Sequence, residues 1–332
     1  MSFIIKFFYL FISILCLGAI SSNQSKIFLI IKEKGEFRLL NNSYYLKPFS
    51  LIINGKLNNS KEEYYYLEKD INNITIIFDV QLETCENMFE GMESILEIDL
   101  SYLDTSKVTS MNSMFNGCES LRKITFGQIN TSMIKDMSKL FYECKAIASL
   151  DLSNFDTSSV TLMYEMFSHC ESLISIDVSN FNTSKVENMQ DIFAYCYELT
   201  SLNLSNFDTS RVTNMKGLFY HCSKLKILDI SNFDTSSVNN IQIMFGVCNS
   251  LIYANLLNCK FNDSMNTDYF FWGTSSQIHF CIKDQQTINL LKNINSNMIY
   301  NCSDICFEQN IKIDSVSINC FKSCNESSNR YI

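Results

Sequence analysis

The chain has few of the residues from which active sites are usually built. Its three histidines, His169, His221 and His279, have no paired catalytic Ser or Cys motif around them, and no GxSxG, HExxH, GxGxxG or Walker-type loop occurs. No catalytic site, cofactor or metal is therefore expected. Basic runs of the length that tracks phosphates are also missing from a chain with 26 Lys+Arg against 35 Asp+Glu and a formal net charge of −9. That excludes nucleic acid as a partner. The single proline reads as compositional bias and says little about function. What is present is apolar: 46% of residues are hydrophobic and 18% charged, enough to build a core.

The N-terminus gives the compartment. Lys6 precedes the apolar run Phe7 to Leu17, broken only by Ser13, and small residues Gly18, Ala19, Ser21 and Ser22 follow. This is the order of a secretory signal peptide over residues 1–21, and a run of about eleven residues is too short to span a bilayer. The expectation is a secreted or cell-surface protein with no transmembrane anchor in the mature chain. Asn-x-Ser/Thr sequons recur from Asn23 to Asn325, as chance alone produces in a chain this rich in Asn and Ser.

Seven phenylalanines, from Phe89 through Phe115, Phe141, Phe167, Phe193 and Phe219 to Phe245, follow one another at intervals of 26 residues. In the same register come Cys118, Cys144, Cys170, Cys196, Cys222 and Cys248, and the repeat reads LxxLDLSNFDTSxVTxMxxMFxxCxS. Leu150/Leu152, Ile176/Val178, Leu202/Leu204 and Leu228/Ile230 alternate with polar residues, as a half-buried strand does. Val160, Met163, Met166/Phe167 and Cys170 then fall three or four apart, which predicts one face of a short helix capped by Thr161 and its equivalents Thr109 and Thr213. His169 and His221 become outward helix residues. Between strand and helix, Asn154 to Ser158 and its copies form a turn with an inward Phe. One strand and one helical turn cannot bury both faces alone, so the fold expected is an α/β solenoid, leucine-rich-repeat-like, with one short strand and one short helix per repeat and a cap at each end. The segments are a β-rich N-terminal cap over 22–84, with strands at Ile27–Leu40 and Ile74–Leu82 and a hairpin at Asn54-Gly55, repeats over 85–261, a C-terminal cap over 262–280 and a Cys-rich tail over 281–332.

The motif LDLSNFDTSxVTxMxxMFxxC, seen most purely in Leu150 to Cys170, resembles the leucine-rich repeat of BspA-like surface proteins, also catalogued as a domain of unknown function in mycoplasma and protist proteins. The resemblance implies a surface protein acting in adhesion, with no enzymatic activity and with a protein or glycan on another cell or matrix as partner. One departure matters. Asn154 follows the second strand leucine, Leu152, by two residues and not three, so the asparagine ladder of ordinary leucine-rich repeats is not expected here.

Stacking turns repeat positions into columns. The outward strand column holds Asp99, Thr125, Asp151, Asp177, Asn203, Asp229 and Asn255, followed by Ser101, Gly127, Ser153, Ser179, Ser205 and Ser231. It reads as a polar face for a protein, glycan or divalent cation, or as a face kept polar for solubility. The turn column Asp104, Asp156, Asp208 and Asp234, with Asn130 and Asn182, reads as structural, since Asp and Asn accept backbone N–H groups in turns. The six column cysteines are expected as buried free thiols, because helices pack about 8–10 Å apart and a disulfide needs Cα atoms within about 7 Å. In the tail, Cys281, Cys302, Cys306, Cys320 and Cys324 read as a disulfide staple, with zinc as the alternative. The function expected is binding or adhesion through the polar sheet face. The alternative is a structural coat or decoy antigen without a dedicated ligand.

Overall fold

The computed structural model describes residues 24–44, 46–58, 62–274 and 278–295, together with short strands at 299–300, 312–313 and 320–321. Residues 1–21, expected as a signal peptide, lie outside them. The chain divides into two compact halves, Met1–Glu171 and Ser172–Ile332.

The N-terminal half opens on β1 (Ser25–Ile31), whose Ser25, Ile27, Leu29 and Ile31 are buried in strict alternation. The strand expected to run on to Leu40 breaks at Lys32–Lys34, and a separate β2 (Gly35–Arg38) pairs antiparallel with β5 (Tyr64–Leu67). β3 (Ser50–Ile53) and β4 (Lys56–Asn58) form the hairpin signalled by Asn54-Gly55, both left-handed with φ 51° and 81° as a tight hairpin turn requires. β6 (Asn72–Phe78), β7 (Ile95–Tyr102) and β8 (Lys123–Thr125) complete a six-stranded sheet in the order β4-β3-β6-β1-β7-β8. β1 runs antiparallel to β6 and β7, whereas β7 and β8 are parallel, so the sheet is mixed.

In the C-terminal half, β9 (Ile227–Asp229), β10 (Tyr253–Asn255), β11 (His279–Cys281) and β12 (Ile299–Tyr300) make a parallel sheet. Its strands repeat the 26-residue step, with Leu228 opposite Ala254 and Ala254 opposite Phe280. Helix α1 (Gln285–Ile294) follows, capped where the Asp284 carboxylate accepts the Thr287 N–H at 2.7 Å. β13 (Lys312–Ile313) and β14 (Cys320–Phe321) pair antiparallel.

The α/β solenoid with a strand and a helix in each repeat is not what forms. Among the described residues the regular elements are mostly strands in mixed and parallel sheets, and α1, the one helix, lies beyond the last expected repeat. Where a helix was expected, the backbone runs through linked turns. Its N–H groups divide in two directions. Met111, Ser113, Phe115 and Gly117 donate to the carbonyls of Asp136, Ser138, Leu140 and Tyr142, 25 residues on, at 2.9, 3.0, 3.1 and 2.8 Å. Met114, Asn116 and Cys118 donate back three residues, to Met111, Ser113 and Phe115. A left-handed residue twice per repeat enforces this, as at Ser113 and Gly117, at Lys139 and Glu143, and at Glu165 and His169. An α-helix needs right-handed dihedrals at every residue. Thr161, Thr109 and Thr213 accordingly cap nothing: their hydroxyls donate sideways to the carbonyls of Lys135, Glu83 and Glu187 at 3.2–3.4 Å. His169 and His221 sit in left-handed turns and not on helices.

The core follows the sequence columns. Phe89, Phe115, Phe141 and Phe167 stack with centroids 5.7–5.9 Å apart in the N-terminal half. Phe193, Phe219 and Phe245 stack at 6.3 and 5.8 Å in the C-terminal half. Phe155, Phe181, Phe207 and Phe233 of the turns are buried, as expected. The six column cysteines are buried free thiols, but distance is not what keeps them apart. Rows joined by backbone hydrogen bonds lie about 4.8 Å apart, within reach of a disulfide, whereas the expectation assumed helix spacing. The thiols of Cys118, Cys144, Cys170, Cys222 and Cys248 instead donate to a phenylalanine carbonyl of the neighbouring row, as Cys144 does to Phe115 and Cys222 to Phe193, both at 3.2 Å.

Candidate functional site

Asp151, Ser153, Asp177, Ser179, Asn203, Ser205 and Asp229 are exposed, and Asp99 is half-buried. Each acidic or amide side chain closes a local turn. Oδ1 of Asp99, Asp151, Asp177, Asn203 and Asp229 accepts the N–H of the serine two residues on, Ser101, Ser153, Ser179, Ser205 and Ser231, at 2.9–3.1 Å. This is the Asx turn, in which a side-chain oxygen stands in for a backbone carbonyl. Ser153 also donates its hydroxyl to Asp151 at 2.7 Å. Hydrogen bonds from Ser153 and Ser179 hold the carboxyls of Asp151 and Asp177 below the usual aspartate range. The column is not outward along its whole length, since Asn255 is buried and its Oδ1 accepts the Leu257 N–H at 3.2 Å.

The turn column forms the same motif. Asp104, Asp156, Asp208 and Asp234 accept from Ser106, Ser158, Ser210 and Ser236, and Asn130 and Asn182 accept from Ser132 and Ser184. Two ladders went unread in the sequence. Thr131 Oγ1 donates to the Asp156 carbonyl at 2.9 Å and accepts the Asp156 N–H at 2.7 Å. Thr105, Thr183 and Thr235 do the same for Asn130, Asp208 and Lys260. The signal was there, a Thr in every Asp/Asn-Thr-Ser triplet of the repeats. The asparagine ladder, excluded on spacing, is present in another form: Nδ2 of Asn154 donates to the Gly127 carbonyl, that of Asn206 to Val178, Ser179 and Phe181, and that of Asn232 to Leu204 and Phe207. A two-residue offset still reaches the row before, because the turn bends the chain toward it.

Burial pushes the thiols of Cys85, Cys248 and Cys259 up to about 12, far from the thiolate that would react or bind metal. Among the described residues no group of three or more His, Cys, Asp or Glu is placed to hold a metal ion, and no helix is long and apolar enough to cross a membrane. Cys281 is buried and is not a free thiol. Cys320 lies on β14, and Cys302, Cys306 and Cys324 lie outside the described residues. An open depression of about 680 Å³ in the N-terminal half is lined by Lys26, Asp79, Tyr102 and Asp104 among others, and none of the strand-column candidates reaches it.

No curated protein and no solved structure matches the chain. A family model described as "Mycoplasma protein of unknown function, DUF285" matches twice, over residues 83–198 and 172–281, which together make up more than half of the sequence.

Proposed function

The chain belongs to this Mycoplasma-type family of unknown function, and from that premise we propose that it is a secreted or cell-surface binding protein of the BspA-like kind, holding a protein or glycan of another cell or matrix against its exposed Asp/Asn and Ser residues. The observation that carries this reading is the exposure, in side-chain conformations already fixed by Asx turns, of Asp151 in the N-terminal half and of Asp177, Asn203 and Asp229 in the C-terminal half. An Asx turn occupies one oxygen of a carboxylate that offers about four acceptor sites. Acceptor capacity therefore remains, and its positions are preorganised, which lowers the entropy lost on binding. The role is binding and not catalysis.

The test is a screen against glycans, matrix proteins and neighbouring cells, repeated with Asp151→Lys, Asp177→Lys and Asp229→Lys combined. A fall in affinity of about tenfold or more is expected, as placing charge against a complementary interface costs on the order of 1.4 kcal/mol or more. Undiminished binding by the triple variant would remove this face from the site.

A second reading has its own observation: the same Asx turns explain every residue of the column by backbone hydrogen bonding alone. On that reading the protein is a coat component or a decoy antigen without a dedicated ligand. Localisation in the native cell with crosslinking separates the two. Retention on a surface through a captured partner supports binding, and free release supports the decoy.

A further inference from the structure

Side chains that recur in every repeat answer to the fold, and those that break the repeat call for another cause. One left-handed position of the repeat is filled by glycine at Gly91, Gly117 and Gly273, the residue that adopts it without steric penalty. The same position carries Glu143, His169 and Val247 in other rows, and Tyr195 (φ 60°) and His221 (φ 61°) in two consecutive rows of the C-terminal half. The left-handed backbone belongs to the repeat; what it does here is turn two large rings on neighbouring rows toward each other.

The two rings meet. Tyr195 and His221 stack at 5.0 Å with 14° between their planes. Tyr220 stands edge-on to both, at 5.0 and 4.6 Å, and Tyr197 edge-on to both, at 6.1 and 5.8 Å. All four are half-exposed. Another glycine makes space beside them: a Cβ on Gly246 would lie 2.9 Å from Cδ2 of Tyr220, so any larger residue there would displace that ring. Trp272, the chain's one tryptophan, occupies the register position of Tyr220 two repeats on and is 56% exposed.

The surrounding charge selects the ligand class. Lys224 Nζ pairs with Glu198 Oε2 at 2.5 Å, and Asp191 and Lys216 sit on adjacent rows joined by the Asp191 N–H to Lys216 carbonyl bond at 2.8 Å. Two acidic and two basic residues thus belong to these rows, an equal number of each sign, which favours neither a phosphate nor an ammonium group. What the cluster offers is ring surface edged by phenol hydroxyls and an imidazole, an apolar body with a polar rim. A pyranose ring has the same division, with C–H groups on its faces and hydroxyls around its edge. We propose that Tyr195, Tyr197, Tyr220 and His221 form a binding site for a neutral saccharide, separate from the Asp–Ser column.

The test is calorimetric titration of the full chain with chitohexaose, cellohexaose and maltohexaose, read in parallel by Trp272 fluorescence. At least one is expected to bind saturably, and the combined Tyr195→Gly and His221→Gly variant to bind it at least tenfold more weakly while its thermal midpoint holds or rises. Glycine is native to that position in other repeats, so the variant keeps the fold. Tyr197→Ala is a second variant, at a position without left-handed strain, with the same expected loss. The triple Asp→Lys variant of the strand column retains saccharide affinity. Failure of all three probes to bind the intact protein overturns the proposal, as does parental affinity in both aromatic variants or an equal loss in the strand-column variant.

Discussion

Thr183 is buried, and its one hydroxyl serves two backbone groups of Asp208, donating to the carbonyl at 2.8 Å and accepting the N–H at 2.9 Å. Thr183→Val preserves shape and volume but leaves both groups without that partner. A loss of about 1–3 kcal/mol is expected, the cost of buried polar groups deprived of hydrogen bonds. Urea titration of parent and variant measures it, and a change below about 0.5 kcal/mol, typical of neutral surface substitutions, would show that the ladder contributes nothing. The recurrence of Thr was legible in the sequence, but its job was not. Local turn chemistry and a contact to a residue 25 positions away call for the same side chain, and only proximity tells them apart. Gly127 is similar: it reads as a gap in a serine column, yet it is left-handed, and a Cβ there would lie 2.7 Å from the Ser101 Cα.

At the scale of the element, the segment from Val160 to Cys170 shows why apolar spacing misled. Residues three or four apart share a face in a helix, and they also share a face in successive turns closed over three residues. The pattern fixes which side chains are inside and leaves open where the backbone N–H groups go. Because alternate N–H groups bond to the next row, the 26-residue step is a register, and a one-residue slip would place each donor opposite the wrong carbonyl. Deleting residues 136–161, one full repeat within the N-terminal half, joins Lys135 to Leu162 and restores an equivalent carbonyl to every donor. This variant is expected to unfold in a single cooperative urea transition. The 25-residue deletion 136–160 is expected to lose that transition, as followed by circular dichroism. Equal cooperativity in the two deletions would show that the register is not enforced.

For the whole molecule, the Asx turns set the response to acid. Asp104, Asp151, Asp177, Asp208, Asp234 and Asp284 have carboxyls held below the usual range, chiefly by hydrogen bonds from the hydroxyl and backbone N–H of Ser106, Ser153, Ser179, Ser210, Ser236 and Thr287. A folded-state value below the unfolded one contributes stability above the ordinary aspartate value of about 3.9, and that stability is lost as pH falls through the depressed values. Most of these groups face solvent and are screened, so each contributes modestly. The thermal midpoint is expected to stay nearly level from about pH 7 to 5 and to fall below about pH 4. A midpoint that rises between pH 5 and 3 in differential scanning calorimetry would contradict the assignment. By itself the sequence determined the 26-residue period, the buried Phe and Cys columns and the inward turn Phe, because burial follows side-chain type and spacing. The tertiary structure decided that the period is carried by turns and parallel pairing without a helix in each repeat, that Thr and Asn bind row to row, and that Tyr195 and His221 meet. Those outcomes depend on which backbone groups of distant residues come within about 3 Å of each other, a distance that one-dimensional spacing does not contain.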